Sequence, residues 1–176
     1  SRVVVGEPVQ LAARAPGFPE GTQGKFEIHD YRGLAGDTIA TLDAAVGPTG
    51  ALVAEWTPTR EQVKAVAGGK VVFLARVGDA AALSPRAPVL IPHEIELKDD
   101  QGNPLPDTTL IAGTAGGYRA TAQVKGGQAV VQIRAGDRIA WIDLPEHAGS
   151  WIKVEGDDVD AHELYLPDAP AEGGDG

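Results

Sequence analysis

The chain has 176 residues, of which 43% are hydrophobic and 5% aromatic, and its 25 acidic and 15 basic residues give a formal net charge of −10. This length allows one domain or two small ones, and the apolar fraction is close to that of ordinary globular proteins, which excludes wholesale disorder. The apolar runs span only a few residues, far fewer than the ~20 that a membrane-spanning helix requires.

The negative charge is concentrated at the C-terminal end. Residues 155–176 contain eight acidic residues and no Lys or Arg, so the rest of the chain, with 17 acidic and 15 basic residues, is nearly neutral. Nucleic-acid binding requires clustered Lys and Arg that neutralise phosphates. The composition therefore excludes a nucleic-acid partner, and for the same reason it disfavours an anionic membrane surface.

Cysteine and methionine are both absent. Without cysteine the chain cannot form disulfides, thiolate nucleophiles, cysteine-ligated zinc sites or iron–sulfur clusters. The sequence opens in a strand-like run, Ser1-Arg2-Val3, without the pattern of a signal peptide. We expect a segment cut from a longer protein, with a processed chain as the alternative.

Apolar residues alternate with a period of two along most of the chain, which predicts strands. In the first half the alternating sets are Val9/Leu11/Ala13, Phe26/Ile28, Leu42/Ala44/Val46, Leu52/Ala54/Trp56 and Val71/Phe73/Ala75/Val77. In the second half they are Ile95/Leu97, Tyr118/Ala120/Ala122/Val124, Ala129/Val131/Ile133, Ala140/Ile142/Leu144, Trp151 or Ile152/Val154, and Leu164/Leu166. One helix is predicted over residues 59–66, capped by Thr57 or Thr59 and stopped by Gly68-Gly69.

About a dozen short strands separated by Gly- and Pro-containing turns predict an all-β fold with at most one short helix. A domain boundary is predicted near Pro92, because proline cannot donate to a strand ladder, and a new strand is expected to begin at His93. The predicted organisation is two consecutive small β-sandwiches over residues 1–92 and 93–167, followed by an acidic Gly/Pro-rich tail or linker over residues 168–176.

The block of residues 39–58, IATLDAAVGPTGALVAEWTP, resembles the middle of bacterial immunoglobulin-like modules. In those modules a strand, a Gly-containing turn and a strand ending in Trp-x-Pro precede a further strand, here residues 71–77. Residues 5–11, VGEPVQL, are similar to the first strands of the same modules. The resemblance implies an Ig-like sandwich over residues 3–91.

Residues 95–106, IELKDDQGNPLP, resemble the first strand and turn of transthyretin-like or carboxypeptidase-regulatory-like sandwiches. With the following strands up to Leu144-Pro145-Glu146, the second half is also similar to accessory modules of bacterial contractile injection machinery, such as extensions of type VI secretion spike proteins and their LysM-type associates. Those modules usually carry Asp-x-x-Gly in the middle turn, where this chain has Lys125-Gly126-Gly127. The resemblance implies a structural role in an extracytoplasmic, secreted or injected assembly.

Histidine and acidic side chains are the candidate metal ligands of this sequence. His93 and Glu94 point to opposite sides of a strand and cannot share a ligand, and His29 is in a similar position at a strand end. A structural or solvated role is favoured for both histidines.

Two acidic stretches could hold Ca²⁺. Asp158, Asp160 and His162 share a face if residues 157–163 are extended, although an ordinary acidic loop also explains them. Turn chemistry is favoured for residues 99–103. We therefore expect no metal and no cofactor.

Catalytic nucleophiles are scarce. Ser84 precedes Pro85, and Ser150 lies in a local turn close to His147, so neither serine belongs to a Gly-x-Ser-x-Gly elbow. We expect no catalytic residue and no enzyme; an enzyme would require a deep pocket with convergent His and carboxylate groups.

Trp141 and Trp151 are the candidate binding residues. Trp141 is out of phase with Ala140/Ile142/Leu144 and therefore lies on the opposite face of its strand. Either the two tryptophans pack together or against the other domain, or they are exposed anchors for sugar or protein.

The favoured function is that of a non-enzymatic structural or adaptor module. We expect it to dock to protein partners in a larger bacterial extracytoplasmic or contractile-injection assembly, or to a second copy of itself. The alternative is a module that binds carbohydrate or a cell-envelope polymer. Exposed, coplanar aromatics beside polar side chains would favour the alternative.

Overall fold

The structure is a computed structural model that describes residues 2–157 and 159–166, without the side chains of residues 160–162. Its first strands are β1 (Val3–Val4), β2 (Val9–Arg14), β3 (Gln23–Tyr31), β4 (Ala35–Val46), β5 (Ala51–Trp56), β6 (Lys70–Val77) and β7 (Ala80–Leu83). The later strands are β8 (Ala87–Asp99), β9 (Thr108–Thr114), β10 (Arg119–Val124), β11 (Gln128–Arg134), β12 (Ile139–Asp143), β13 (Trp151–Gly156) and β14 (Val159–Tyr165). The predicted all-β fold with at most one short α-helix is confirmed.

The α-helix, α1, spans Arg60–Val63 and is shorter than predicted. Thr59 caps it, since its side chain accepts from the Gln62 N–H at 3.2 Å and the Gln62 side chain accepts from the Thr59 N–H at 3.1 Å. This reciprocal capping box satisfies N–H groups that the first helical turn leaves unpaired. No helix among the described residues is long and apolar enough to cross a membrane.

The chain divides into two compact units. The first unit comprises Ser1–Ile91 and Arg134–Gly136, and the second comprises Pro92–Ile133 and Asp137–Gly176. The last residue of β11 and the two residues after it thus belong to the first unit, so the second unit is not one continuous stretch of the chain.

The expectation that a strand ends at Pro92 and another begins at His93 is wrong, because β8 continues through both Pro88 and Pro92. Proline removes only its own N–H from a ladder. The residue next to Pro88 still donates, since the Val89 N–H lies 2.8 Å from the Gly69 carbonyl oxygen. Proline is therefore accommodated within this strand.

The first unit is built on an antiparallel sheet in the order β6-β3-β4-β5-β2, with β7 added to β6 and β1 parallel to the start of β8. The residues predicted to alternate in β2, β3, β4 and β5 are buried or half-buried. The alternation is incomplete in β6, which also buries Val72, and it is absent from β1, where Val3 and Val4 are both buried. The largest fully buried side chains of the unit are Trp56, Ile28, Leu52, Val3, Val46 and Val63. Trp56 contacts Phe73 edge to face, with ring centroids 6.0 Å apart, and its indole N–H donates to Gln62 at 3.1 Å.

The second unit has two sheets around one apolar core. One sheet has the order β14-β13-β8 with β11 also paired to β8, and the other has the order β10-β9-β12. Among the described residues, the hydrophobic core cluster consists of aliphatic side chains, namely Ile95, Leu97, Leu105, Leu110, Ala112, Val124, Ala129, Val131, Ile133, Ile142, Leu144, Ile152, Val154 and Leu166.

Candidate binding surfaces

The nine aromatic residues differ in burial between the two units. The five in the first unit, Phe18, Phe26, Tyr31, Trp56 and Phe73, are buried or half-buried. The four in the second unit are exposed: Tyr118 by 50%, Trp141 by 43%, Trp151 by 52% and Tyr165 by 49%. Exposed aromatic side chains are the surface groups most enriched at the energetic centres of interfaces, so the second unit is where candidate binding surfaces lie.

Trp141 lies on the outer face of the sheet β10-β9-β12, which we call the Trp141 face. Register pairs Trp141 with Gly113 on β9, and Gly113 with Arg119 on β10, so the three residues form one row across the sheet. The Arg119 guanidinium carbon lies 5.3 Å from the centroid of the indole ring. This distance is within the range of a cation–π interaction.

Gly113 provides the space that the indole occupies. A Cβ atom at this position would lie 2.0–2.4 Å from three atoms of the Trp141 ring, a separation that no side chain tolerates. The ring therefore rests against the backbone of the central strand. A glycine inside a strand weakens it but permits close approach of another group, and here the approaching group is an exposed tryptophan.

A β-bulge at Ala140 sets the direction of Trp141. The register shifts between Ile139 and Trp141, so that Ile139 and Ile142 both pack toward the core, while Ala140 and Trp141 are exposed. Bulges commonly re-aim a side chain in this way. The prediction that Trp141 points away from Ile142 is confirmed, whereas the prediction that Ala140 shares the buried face of Ile142 is wrong.

Polar side chains complete the Trp141 face. The next row of the sheet aligns Thr121, Ile111 and Asp143. The row beyond it pairs Gln123 with Thr109, and the Gln123 side-chain amide donates to the Thr109 hydroxyl at 3.2 Å. The face thus combines one aromatic ring with groups that donate, accept or do both.

Trp151 lies on the other sheet of the same unit, where it pairs with Tyr165 across β13 and β14. The two ring centroids are 5.3 Å apart with planes inclined by 52°. Of the two sequence alternatives at this position, the structure selects Ile152 and Val154 as the inward residues. We call Trp151 and Tyr165 the aromatic pair.

The structure therefore assigns the two candidate tryptophans to separate surfaces. Trp141 contacts Arg119 and Gly113, whereas Trp151 contacts Tyr165, and the two belong to different sheets. The interpretation in which they pack together is wrong.

The side chains of three of the four histidines are described. His93 is buried, with 4% exposure, while Glu94 is exposed on the opposite side of β8. His147 ends the 3-10 helix Pro145–His147, and its carbonyl accepts from the Ser150 N–H at 3.2 Å, which is the predicted local turn. The side chain of His162 lies outside the described part of the structure.

His29 belongs to a charged network on the outer face of β3. Its Nε2 lies 3.1 Å from Glu27 and its Nδ1 lies 2.9 Å from the Gly36 carbonyl oxygen. Glu27 also accepts a hydrogen bond from Arg76 at 2.7 Å. The bond from Arg76 is the largest influence on Glu27, and with the His29 contact it outweighs partial desolvation and lowers the pKa of this carboxyl.

The turn at residues 99–103 is held by its own carboxylate. Asp99 Oδ1 accepts the N–H groups of Asn103 at 2.8 Å and Gln101 at 2.9 Å. These backbone bonds, the one from Asn103 first, lower the pKa of the Asp99 carboxyl. The favoured interpretation as turn chemistry agrees with this geometry.

An acidic cleft of about 300 Å³ opens in the second unit, where Glu94, Glu96, Glu155 and Asp157 lie on its walls. Asp157 accepts from the Glu94 N–H at 3.1 Å, and Lys98 pairs with Glu96 at 3.1 Å. Across residues 2–157 and 159–166, no group of three His, Asp or Glu side chains is arranged to hold a metal ion. Of the predicted calcium candidates, Asp158 and the side chain of Asp160 lie outside the described residues.

The first unit has a smaller apolar groove of about 140 Å³ between the end of β2 and β7, with Phe18, Leu52 and Val77 among its walls. Ser84 lies beside this strand pair and its hydroxyl is fully engaged, since it accepts from the Phe73 N–H at 2.9 Å and donates to the Pro85 carbonyl at 2.8 Å. Its place is structural. The predicted tail or linker over residues 168–176 lies outside the described part of the chain.

Sequence reasoning missed Gly113, Arg119 and Tyr165 as members of these surfaces. Tyr165 could have been found, because it lies between Leu164 and the buried Leu166 and alternation places it outward. The contact between Gly113 and Trp141 depends on strand register, which no local pattern reveals.

No protein-family model matches the chain, and no match was found among the curated proteins.

Proposed function

We propose that the chain is a non-enzymatic structural or adaptor module that docks to a protein partner through the aromatic pair. The observation that carries this proposal is that Trp151 and Tyr165, each about half exposed, lie in contact with each other on β13 and the edge strand β14. Such a pair is already ordered before binding, which reduces the entropy that a partner must overcome.

The surroundings of the aromatic pair resemble the anatomy of a protein interface. Lys153 and Glu163, on the same face, approach each other to 3.9 Å and are partly exposed. A central aromatic cluster with charged groups at its rim is the arrangement in which a few residues carry most of the binding energy. Because β14 is at the edge of its sheet, a partner strand can also add to its backbone.

The sequence resemblance directs the search for the partner. An Ig-like module followed by a transthyretin-like module is the combination that we propose for the two units, and accessory modules of contractile injection and secretion machinery are what the second half resembles. Components of such assemblies, and a second copy of this chain, are therefore the first partners to test.

The test uses the full chain as bait, compared with the double variant Trp151→Ala/Tyr165→Ala. A partner is retained by the wild-type chain, binds it directly when both are purified, and binds the double variant at least ~10-fold more weakly. Sedimentation velocity of the bait alone tests self-association in the same way.

Trp141→Ala is the matched control, since it removes a tryptophan of similar exposure from the other sheet. A partner whose affinity falls equally with Trp141→Ala and with the double variant contradicts docking through the aromatic pair. A wild-type chain that retains no partner and does not self-associate contradicts the proposed function as a whole.

A further inference from the structure

We propose that the Trp141 face binds a neutral glycan, with one pyranose ring stacked on the indole of Trp141. This inference goes beyond the proposed docking function and does not depend on it, because the residues involved lie on the other sheet of the second unit.

The indole is held as a platform. It rests against the backbone at Gly113, where a Cβ atom would overlap it, and Arg119 approaches the ring to 5.3 Å. It nevertheless remains 43% exposed. The exposed part of the indole offers an apolar surface that matches the C–H face of a sugar ring, and because neighbours already hold the side chain, little of its entropy remains to be lost on binding.

Polar groups lie at the spacing that the hydroxyls of a stacked sugar can reach. Asp143 is two residues from Trp141 on β12, which along a strand is ~6.6 Å. Thr121 shares its row with Asp143, with half-buried Ile111 between them. The Trp141 face therefore presents an apolar ring and hydrogen-bonding groups side by side.

The mixture of groups favours a polyhydroxylated ligand. Arg119 can only donate hydrogen bonds, ionised Asp143 can only accept them, and Thr121 can do both. A hydroxyl group is donor and acceptor at once and satisfies all three. One positive and one negative side chain leave the face without net charge, so charge complementarity favours a neutral glycan over an anionic one.

The same composition argues against a protein partner at this face. The centre of a protein interface is depleted in charged residues and surrounded by contacts that exclude water. Here the neighbours of the ring in the next two rows are Thr121, Asp143, Gln123 and Thr109, with only Ile111 apolar. This pattern is that of a wet, hydrogen-bonding surface.

Isothermal titration of the full chain with two neutral probes, cellohexaose and hexa-N-acetylchitohexaose, tests the inference. Saturable binding of at least one of these β-linked probes is expected, accompanied by a change in tryptophan fluorescence. Trp141→Ala should weaken binding at least ~10-fold, and Asp143→Ala and Thr121→Ala should each weaken it by a smaller factor. Trp151→Ala, on the other sheet, should leave binding unchanged.

Circular dichroism separates loss of binding from loss of folding, and the exposed position of Thr121 keeps one variant informative if Trp141→Ala unfolds. Absence of saturable binding to both probes overturns the inference, as does unchanged affinity in Trp141→Ala and Thr121→Ala. Retention of a protein partner that Trp141→Ala alone abolishes also overturns it, because the face would then be a protein-docking surface. Failure of the aromatic pair to bind protein leaves these results untouched, so the two proposals fail separately.

Discussion

The two units use their aromatic residues in opposite ways. In the first unit, Trp56 is 2% exposed, contacts Phe73 and donates a hydrogen bond to Gln62. In the second unit the core is aliphatic and all four aromatic residues are exposed. Large aromatic side chains usually dominate the energetics of a core. Their burial therefore indicates a stabilising role in the first unit, and their exposure indicates a different role in the second.

The aromatic residues of the second unit lie outside its hydrophobic core cluster. In the part of the chain that the structure describes, fourteen buried aliphatic side chains form its hydrophobic core cluster. Trp141 and Trp151 are instead held on the outer faces by neighbours that fix their orientation, Gly113 and Arg119 for the first and Tyr165 for the second. Aromatic side chains thus stabilise the core of the first unit. The aromatic side chains of the second unit are exposed and available for contacts with other molecules.

The largest expected effect follows from truncating the buried tryptophan. Trp56→Ala should lower the free energy of unfolding by about 3–5 kcal/mol, because it creates a cavity against Phe73 and removes the partner of Gln62. Urea denaturation followed by circular dichroism measures the change. Trp151→Ala, which removes the same side chain from an exposed position, should cost about 1 kcal/mol or less.

If Trp151→Ala lowers the free energy of unfolding as much as Trp56→Ala does, Trp151 is a core residue and the contrast between the two units is wrong. If Trp56→Ala does not fold, Trp56→Phe keeps a ring against Phe73 and should cost about 1–2 kcal/mol through the lost hydrogen bond and smaller volume.

Gly113→Ala tests whether the Trp141 ring of the second unit rests against the backbone of the central strand. The added Cβ displaces the Trp141 ring, and we expect a loss of about 1–3 kcal/mol together with stronger quenching of tryptophan fluorescence by acrylamide. Gly47→Ala is the control, because its Cβ would have no neighbour closer than 3.7 Å. Equal, small effects of the two substitutions would show that Trp141 does not rest on Gly113.

The capping box of α1 supports the buried tryptophan of the first unit, since Gln62 bonds both the helix N-terminus and Trp56. Thr59→Ala should cost about 1 kcal/mol. Thr57→Ala, at the exposed alternative cap position, should change the stability by less than half of that. A reversed order in urea denaturation would assign the cap to Thr57.

The smallest effect on the free energy of unfolding is expected on the outer face of the first unit. This face carries charged side chains, whereas the outer faces of the second unit carry aromatic ones. The pKa of Glu27 lies below its ordinary value of 4.5, so the folded state binds a proton less readily than the unfolded state. Its stabilising contribution is therefore present above about pH 4.5 and is lost as the pH falls through the folded-state pKa.

Glu27→Gln should cost about 0.5–1 kcal/mol at pH 7, because Arg76 is half exposed and the ion pair is screened. The difference from wild type should shrink toward pH 3, as measured by urea denaturation at several pH values. Glu61→Gln, on an exposed helix pair with Lys64 at 2.9 Å, is the control with a smaller effect. A difference that grows as the pH falls would contradict the network.

Much of the fold could be predicted from local patterns. Alternation located the buried residues of β5 and β11, and Thr59 was one of the two cap positions predicted for the helix, because burial on one face and capping are local properties. The continuity of β8 through Pro92 could not be predicted from the same rules. It depends on bonds that neighbouring residues make with distant strands.

The candidate surfaces were predicted only as single residues. The phase of Trp141 against Ile142 gave its outward direction, but its seat on Gly113 depends on the register between β9 and β12 and on a bulge at Ala140. Likewise, the contact between Trp151 and Tyr165 joins residues fourteen positions apart. Register is set by the whole sheet, so the assembly of a surface from several strands is not written in any one of them.

The most direct test of the claim that the second unit holds its exposed aromatics for binding is a paired measurement on Trp151→Ala/Tyr165→Ala. We predict that the double variant retains at least about four-fifths of the wild-type free energy of unfolding, because exposed side chains contribute little to it. Its affinity for a protein partner should fall at least ~10-fold. A variant that unfolds substantially but, where folded, binds its partner with unchanged affinity would contradict the claim and assign the pair to stability alone.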